Sequence, residues 1–254
     1  MLLENLTQIE TAVSILLAAL GQQNKIHPLD YIYNCLQTKF NLIEKDSNEF
    51  QIIQKYINNS SNETKIKNLF GVIRKGETEK ISKLNLNNHF LLFHGTKIFN
   101  YLGIFSNGLK IAPPEAPSTG YLFGKGIYLA DMFAKSINYC DEVKIENKSY
   151  SYILLCEAAL GEIFECDINS YKETNSFLSE GFNSLKSKSS NGPDLNKTFV
   201  CNNGIKIPLG NIISYNINKN SFGSNKVSTT MNPEYIVYNT DQVKIRYIIQ
   251  IERN

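Results

Sequence analysis

Short β-rich segments fill the last two thirds of this chain and follow one another too closely to alternate with helices. Each combines β-branched and aromatic residues, a composition typical of strands. The segments are HFLLFH (89–94), SYILLCEAAL (151–160), EIFEC (162–166), KTFVC (197–201), IKIPL (205–209), EYIVY (234–238) and VKIRYIIQI (243–251). Because no regular strand–helix–strand rhythm connects them, the pattern predicts an α+β fold with mostly antiparallel sheets.

The first quarter of the chain has a helical period instead. Its apolar residues recur at alternating steps of three and four, at Leu2, Leu6, Ile9, Val13, Leu16, Leu17 and Leu20. This spacing is typical of an amphipathic helix, and Gly21 is a common helix end. We expect a helix over 2–20 that packs this stripe against another element. A secretory signal is disfavoured, because Glu4 and Glu10 precede the most apolar stretch and no Lys or Arg does.

Local patterns predict the further elements. Ser47 is a typical N-cap for a helix over 47–58, and Gly108 is a typical end for a helix over 98–107. We also expect a short helix or turn over 29–39, a helix over 131–140, strands over 39–44 and 66–75, and a strand beside the two glycines of 121–130. Loops are expected over 112–120 and, as a mobile loop, over 169–196.

Composition excludes several classes of protein. The 254 residues carry a formal net charge of +2, which disfavours a dedicated nucleic-acid binder with a basic stripe. No apolar run approaches the ~18–20 residues of a membrane helix. The five Cys form no C-x-x-C pair and have no metal-ligand spacing with the three His, so we expect reduced structural thiols and no metal.

Three polar residues beside β-rich segments are candidates for chemistry. His94 follows an apolar run, Tyr128 lies in GKGIY, and Glu234 precedes YIVY. Taken singly, each is more often structural: a satisfied histidine at a strand end, a packed aromatic residue or a solvated edge charge. Gly124 and Gly126 have neither the spacing of a P-loop nor that of a dinucleotide-binding turn. No single residue decides the function.

Taken together and in order, these residues carry a family resemblance. The motifs LFHGT (92–96), GYLFGKGIYLADMFAKSINYC (120–140), PDLNKT (193–198), NNGIKIPLG (202–210) and NPEYIVYNTDQVKIRYIIQI (232–251) resemble the catalytic domain of the poly(ADP-ribose) polymerases, which are diphtheria-toxin-like ADP-ribosyltransferases. NLTQIETAVSILLAAL (5–20) resembles the last helix of their helical regulatory subdomain. The resemblance implies an ADP-ribosyltransferase fold of two mostly antiparallel sheets with few helices over 25–254, preceded by a remnant helix of that subdomain in 1–24.

The resemblance also implies an activity, that of an NAD+-dependent poly(ADP-ribose) polymerase. The family cleaves the nicotinamide–ribose bond of its substrate NAD+ and transfers ADP-ribose to protein acceptors and to the growing polymer. Positive charge develops on the ribose, as in glycoside cleavage. Glu234 favours the polymer, since members limited to mono-ADP-ribosylation usually have another residue there. A mono-ADP-ribosyltransferase, an NAD+ glycohydrolase and an inactive ADP-ribose or NAD+ binding module stay open as alternatives.

Residue roles are implied by position in the motifs. The family's His, Tyr and Glu triad matches His94, Tyr128 and Glu234, and Lys135 lies beside the catalytic Glu. Gly95 would hold the nicotinamide carboxamide through its backbone N–H and C=O. The other NAD+-binding positions implied are Thr96, Asn100, Lys110, Tyr121, Ser136 and Tyr139. Tyr139 would stack on the nicotinamide ring opposite Tyr128.

Two positions depart from the family pattern. Lys110 stands where close relatives have Arg, and Lys cannot make the planar bidentate contact of a guanidinium. This difference concerns the adenosine side of the site. Leu122 stands where a Met lines the acceptor pocket, a change of similar volume.

Partners and compartment are implied in the same way. We expect protein acceptors of ADP-ribose, and binding of nicotinamide or benzamide-type inhibitors. No DNA-binding module and no membrane contact are expected in these 254 residues, so NAD+ turnover is expected to be independent of DNA. Reduced thiols and this substrate indicate an intracellular protein, nuclear in a eukaryote and otherwise cytoplasmic. Whether the chain is a minimal enzyme or a fragment stays open.

Overall fold

Strands outnumber helices in the part of the chain that this computed structural model describes, residues 2–21, 26–61, 63–113, 115, 121–168, 174–215 and 230–253. The strands are β1 (Thr38–Leu42), β2 (Ile66–Arg74), β3 (His89–His94), β4 (Ile127–Leu129), β5 (Val143–Ile145), β6 (Lys148–Ala159), β7 (Ile163–Cys166), β8 (Ser184–Ser187), β9 (Asn191–Pro193), β10 (Thr198–Val200), β11 (Lys206–Pro208), β12 (Ile212–Ser214), β13 (Tyr235–Val237) and β14 (Val243–Arg253). The helices are α1 (Leu2–Gly21), α2 (Pro28–Cys35), α3 (Asn48–Asn58), α4 (Glu77–Lys83), α5 (Tyr101–Asn107), α6 (Phe133–Ser136) and α7 (Thr174–Ser179).

The strands form two main sheets. The larger has the order β1-β2-β14-β6-β3-β11-β10, with β5 also pairing with β6, and its pairs are antiparallel except β11 with β3. The smaller has the order β4-β13-β8-β7, in which β7 and β8 are parallel. β9 and β12 form a separate antiparallel ribbon. The predicted α+β fold with two mostly antiparallel sheets is confirmed, and the ribbon is an addition to it.

Both faces of the large sheet carry apolar clusters, which explains why β6 is buried along most of its length. Successive side chains of a strand point to opposite faces. Leu154 and Cys156 accordingly pack with α5 and the small sheet, while Ile153 and Leu155 pack with α3. Each fully buried aliphatic side chain contributes ~1.5–3 kcal/mol, so these two clusters hold the sheet between its covering layers.

The two sheets meet at the end of β3. The N–H of Phe93 donates to the Ala130 carbonyl at 2.7 Å, and the N–H of Ala130 donates back to the Phe93 carbonyl at 2.9 Å. Ala130 follows β4 directly, and Phe93 precedes His94 at the end of β3. This bridge therefore brings His94 close to the chain that leads from β4 into α6.

Several predicted elements are confirmed at nearly their expected bounds. The Ser47 side chain accepts from the N–H of Phe50 at 3.2 Å and caps α3. Gly108, at φ +79°, ends α5, which continues a 3₁₀ turn at Ile98–Asn100. The strands expected over 39–44 and 66–75 are β1 and β2, and the short helix expected over 29–39 is α2.

The helix predicted over 2–20 is confirmed as α1, but the face expected to pack is wrong. The leucine-rich stripe is largely exposed, at Leu6, Val13, Leu16, Leu17 and Leu20. The buried face is Gln8, Ala12 and Ala19, with Ile15 partly buried. α1 lies so close to α5 that a Cβ added to Gly103 would be 2.1 Å from Gln8 Oε1. A face of small side chains permits this approach, and a leucine stripe does not.

The strand expected beside the two glycines of 121–130 is β4, which begins directly after Gly126, and the residues before it form a turn with Gly124 at φ +73°. Two further predictions need correction. The helix expected over 131–140 is only α6 followed by a 3₁₀ turn at Ile137–Tyr139. The mobile loop expected over 169–196 contains α7, β8 and β9, because β8 finds partners in β7 and β13 that are distant in sequence. Its residues 169–173 lie outside the described residues, as do 114 and 116–120 of the loop expected over 112–120.

Helix α4 was not predicted, although its sequence carries a signal. Gly76 precedes it at φ +83°, a backbone conformation that favours glycine. Glu77 and Glu79 lie in its first turn and Lys80 and Lys83 in its last, which matches the helix dipole.

The remaining composition-based expectations concern thiols, metals and membranes. All five cysteines are free thiols, but only Cys156 and Cys166 are buried. Within the described ranges, no group of three or more His, Cys, Asp or Glu side chains is placed to hold a metal ion. None of the helices that the structure describes is long and apolar enough to cross a bilayer.

Candidate active site

One cavity at the junction of β3, β4 and α6 gathers every residue that the sequence predicts for the site. The predicted residues lining it are His94, Gly95, Thr96, Asn100, Lys110, Tyr121, Tyr128, Lys135, Ser136, Tyr139 and Glu234. They come from segments as far apart in sequence as residues 94 and 234. The Phe93–Ala130 bridge and the pairing of β4 with β13 bring these segments together.

His94 presents a hydrogen-bond acceptor to the cavity. Its Nδ1 lies 2.9 Å from the Tyr128 carbonyl oxygen, which can only accept, so Nδ1–H donates. Burial lowers the pKa of His94, which favours the neutral imidazole. In a neutral ring with the proton on Nδ1, Nε2 is an acceptor. The position suits a ligand hydroxyl, which would donate to Nε2.

Gly95 lies where the end of β3 packs closely against α6 at the edge of the cavity. A Cβ added to Gly95 would lie 1.8 Å from the Ser136 carbonyl oxygen and 3.1 Å from Tyr139 Cβ. The Ser136 hydroxyl donates to the Phe93 carbonyl at 3.3 Å. This close approach requires a residue without a side chain at position 95, and we call the part of the cavity lined by Gly95, Ser136 and Tyr139 the Gly95 slot.

Aromatic residues form the walls of the cavity. The Tyr128 hydroxyl donates to the Gly124 carbonyl at 2.7 Å and accepts from the Phe123 N–H at 2.9 Å, which fixes the orientation of its ring. The Tyr121 ring centroid lies 6.1 Å from that of Tyr128. Tyr139 is about half exposed, and partial burial together with the charge of Glu234 raises its pKa. A planar ligand entering here would meet aromatic faces.

Glu234 and Lys135 form an ion pair at the floor of the cavity. Lys135 Nζ lies 2.7 Å from Glu234 Oε1, and both side chains are largely buried. The same ammonium donates to the Asn232 carbonyl at 3.2 Å. Among the described residues, nothing bonds to Glu234 Oε2, although this oxygen is buried. A buried carboxylate oxygen without a donor is costly, so the site is prepared for a ligand donor at this point.

The Glu234 backbone is held by hydrogen bonds to a neighbouring strand. The N–H of Glu234 donates to Ser187 Oγ at 2.9 Å, and the N–H of Ser187 donates to the Glu234 carbonyl at 2.9 Å. Ser187 is the last residue of β8. Glu234 is therefore positioned by the segment that the sequence assigned to a mobile loop.

Three further predicted residues line the same cavity. The Asn100 side-chain amide donates to Thr96 Oγ1 at 2.9 Å, and Asn100 is buried. Lys110 is exposed. All three line the cavity that also contains the Glu234–Lys135 pair.

Gln8 lines the cavity and was not predicted. It reaches the cavity from α1, and its Nε2 donates to the Gly108 carbonyl at 3.3 Å. The apolar period of the helix drew attention to the leucine stripe, and Gln8 lies off that stripe. No local signal in the sequence marks it.

Comparison with known proteins agrees with this geometry. A family model described as the poly(ADP-ribose) polymerase catalytic domain matches residues 47–253. The chain is 38% identical to Poly [ADP-ribose] polymerase of Drosophila melanogaster, over 99% of this chain and 24% of that protein. It is 38% identical to Poly [ADP-ribose] polymerase 1 of Gallus gallus, over 100% of this chain and 24% of that protein. It is 37% identical to Poly [ADP-ribose] polymerase 2 of Zea mays, over 100% of this chain and 38% of that protein.

The chain thus spans about a quarter of the length of the two animal relatives. The matched residues of the family model include every predicted residue of the cavity, from His94 to Glu234. On the extent of that match, this chain belongs to the poly(ADP-ribose) polymerase family.

Proposed function

We propose that this chain is an NAD+-dependent poly(ADP-ribose) polymerase, which releases nicotinamide and transfers ADP-ribose to protein acceptors and to the growing polymer. The observation that carries the proposal is the buried Oε2 of Glu234, which bonds to no described residue beside the Lys135 ion pair. A carboxylate in this state fits a substrate hydroxyl. The family match supports NAD+ as that substrate.

The cavity residues fit the parts of NAD+ in order. His94 Nε2 would accept from a hydroxyl of the adenine-side ribose. Gly95 would pair with the nicotinamide carboxamide through its N–H and C=O. The Ser136 hydroxyl would be a further donor if its O–H turned from the Phe93 carbonyl to the carboxamide oxygen. Tyr128 and Tyr139 would stack on the nicotinamide ring. The same slot would take nicotinamide or benzamide-type inhibitors, which carry the same carboxamide.

In the proposed reaction, the Glu234 carboxylate would lie beside the ribose that becomes positively charged. The bond between the ribose carbon and the nicotinamide nitrogen breaks, and nicotinamide leaves as a neutral molecule with the electron pair. The ribose ring becomes cationic, as in glycoside cleavage. Glu234 would bond the 2′-hydroxyl of this ribose and stabilise the cation, and Lys135 would hold Glu234 in place. An acceptor nucleophile then bonds to the ribose carbon and loses its proton.

Incubation of the chain with labelled NAD+, followed by a denaturing gel, tests the proposal. A ladder or smear supports the polymerase. A single sharp band would indicate a mono-ADP-ribosyltransferase, free nicotinamide alone a glycohydrolase, and no reaction an inactive binding module. Glu234 supports the polymer over these alternatives, because its carboxylate would also polarise the acceptor hydroxyl of the growing polymer, and members limited to mono-ADP-ribosylation usually have another residue there.

Glu234→Gln is the matched variant for this experiment. It keeps the size of the side chain and removes its charge, so polymer formation should stop while some NAD+ cleavage continues. Glu252→Gln is the control, because Glu252 also pairs with a lysine, Lys148 at 2.6 Å, and lies outside the cavity. Polymer at the original rate from Glu234→Gln would contradict the role given to this residue.

The wider organisation of the protein belongs to the same proposal. We assign a helix of the helical regulatory subdomain to 1–24 and the catalytic domain to 25–254. α1 supports this division, because it packs on α5 at the cavity wall and its leucine stripe stays exposed. An intracellular location follows from NAD+ as substrate and from the five free thiols.

A further inference from the structure

The Asp131 carboxyl lies directly behind the Glu234–Lys135 pair and has no place in the chemistry above. Asp131 is fully buried, and its Oδ2 accepts from the Tyr235 hydroxyl at 3.0 Å. Its Oδ1 is also buried, without a hydrogen-bond partner in the part of the chain that the structure describes. A fully buried carboxyl needs an explanation, because burial of this group is unfavourable unless it is compensated.

Asp131 lies where the chain segments that carry His94, Tyr128 and Glu234 come together. The preceding residue, Ala130, forms the bridge to Phe93, which precedes His94. The following residue, Met132, accepts from the N–H of Lys135 at 3.3 Å at the start of α6. The side chain itself reaches Tyr235, which follows Glu234 in sequence.

We propose that Asp131 is a positioning residue, which ties Tyr235 and the β4–α6 turn together so that Glu234 and Lys135 keep their catalytic geometry. The inference rests on the proposed function, because it concerns the same catalytic pair. Asp131 does not touch the cavity and takes no part in proton transfer. It acts on Glu234 through its neighbour Tyr235, and on Lys135 through the turn and through its own charge.

Titratable groups from several elements face the Asp131 carboxyl. The titratable groups that face it are Tyr235 on β13, Tyr56 on α3, Tyr215 after β12, Lys186 on β8 and Lys135 on α6. Lys186 also pairs with Glu165 at 3.1 Å, as Lys135 does with Glu234. Each of the two ammonium groups therefore pairs with a glutamate and is also attracted by ionised Asp131. Protonation of Asp131 removes this attraction and weakens its bond from Tyr235.

The protonation of Asp131 changes in an accessible pH range. Burial raises its pKa to about 6, against the opposing effects of the Tyr235 bond and the two lysines. The ionised form, which holds Lys135, predominates at neutral pH and disappears on acidification. The catalytic constant should follow this change, whereas the KM for NAD+ should not, because Asp131 lines no part of the cavity.

Two variants distinguish the effect of the Asp131 charge from the effect of its hydrogen bond with Tyr235. Asp131→Asn keeps an acceptor for Tyr235 but cannot ionise, and Tyr235→Phe keeps the ring and removes the hydrogen bond. Glu49→Gln is the matched control, since Glu49 accepts from Tyr247 in the same way and lies outside the cavity. Nicotinamide release by the three variants and the unmutated chain is measured as kcat and KM over a range of pH.

We expect Asp131→Asn to lower kcat about tenfold at neutral pH, with KM for NAD+ within about twofold of the original. In the unmutated chain, kcat should fall as the pH is lowered through the Asp131 pKa. Asp131→Asn should not show this fall, and Glu49→Gln should show it unchanged. Tyr235→Phe should lower kcat similarly, and the double variant should be little worse than either one. An Asp131→Asn protein with the original kcat and pH profile would overturn the inference alone. Absence of nicotinamide release from the unmutated chain would overturn the proposed function and this inference with it.

Discussion

Lys135 Nζ and Glu234 Oε1 lie 2.7 Å apart, in an ion pair that engages only one of the two carboxylate oxygens. The two residues belong to different segments, α6 and the turn before β13. Each side chain is about 15% exposed, so solvent screens the pair only weakly. The lysine thus fixes the carboxylate, and the second oxygen has no hydrogen-bond donor among the described residues.

Replacement of Lys135 by Met should lower kcat for nicotinamide release about ten- to a hundredfold, because Glu234 loses a charged contact of ~1.5–3 kcal/mol. KM for NAD+ should change much less, since the binding walls remain. Steady-state kinetics at saturating NAD+ measure the effect. Lys148→Met, which breaks an ion pair of 2.6 Å outside the cavity, is the control. Equal losses in the two variants would argue against a specific role of Lys135.

Replacement of Gly95 by Ala should distort the Gly95 slot, in which the carboxamide would bind. The added Cβ would overlap the Ser136 carbonyl oxygen at 1.8 Å, so the end of β3 and α6 must separate. We expect the dissociation constants of benzamide and NAD+ to rise at least about tenfold, or ~1.4 kcal/mol, by calorimetry. Gly21→Ala is the control, because no atom lies within 4 Å of a Cβ added there. Unchanged benzamide binding by Gly95→Ala would contradict the assigned slot.

Acid should weaken NAD+ binding through His94. Burial lowers the pKa of His94 below its ordinary 6.5, so the ring is neutral and Nε2 accepts at neutral pH. As pH falls through the lowered pKa, Nε2 gains a proton and the acceptor is lost. NAD+ affinity should therefore be constant above pH 6.5 and decline only at more acid pH. His94→Gln, which does not titrate, should bind more weakly but without this decline. A similar decline in both proteins would assign it to another group.

Asp131 should also make the stability of the protein depend on pH. Its pKa is about 6 in the native state against 3.8 for an exposed carboxyl, so the native state holds the proton more tightly. The contribution of Asp131 to the free energy of unfolding is therefore largest in acid. It falls by ~3 kcal/mol in all as pH rises from about 3 to about 7, with about two thirds of the decrease between pH 4 and pH 6. Urea titrations across this range should show the decrease, and Asp131→Asn should lack it. A variant with the original pH dependence would contradict the raised pKa.

The packing face of α1 gives a further test. A leucine at position 103 would overlap Gln8 and should detach α1 from α5. Amide hydrogen exchange in α1 should then speed up, while that of β3 stays slow. Leu17→Ala, on the exposed stripe, should leave exchange in α1 nearly unchanged, because Leu17 is 65% exposed. Much faster amide exchange in α1 of the Leu17→Ala variant would instead indicate that α1 packs by its leucine stripe.

Local sequence carried much of the fold and nearly all of the site. The strands at 89–94 and 243–251, the Ser47 cap and the Gly108 end were predictable, because period and capping act over a few residues. The site residues were predictable as motif positions, and all of them line one cavity. Gln8 and Asp131 were not, because their neighbours, Gly108 and Tyr235, are about a hundred residues away.

The sequence by itself therefore determined most of the strands, the glycine that ends α5 and the motif positions that line the cavity. Only the tertiary structure decided that α1 packs by its small side chains, since this depends on the close approach of Gly103. It also decided that 184–187 becomes a strand, since β8 is stabilised by hydrogen bonds to β7 and β13 rather than by its own composition. The same long-range pairing sets the distance between Lys135 and Glu234, because hydrogen bonds between distant strands, not local preference, hold the two segments together.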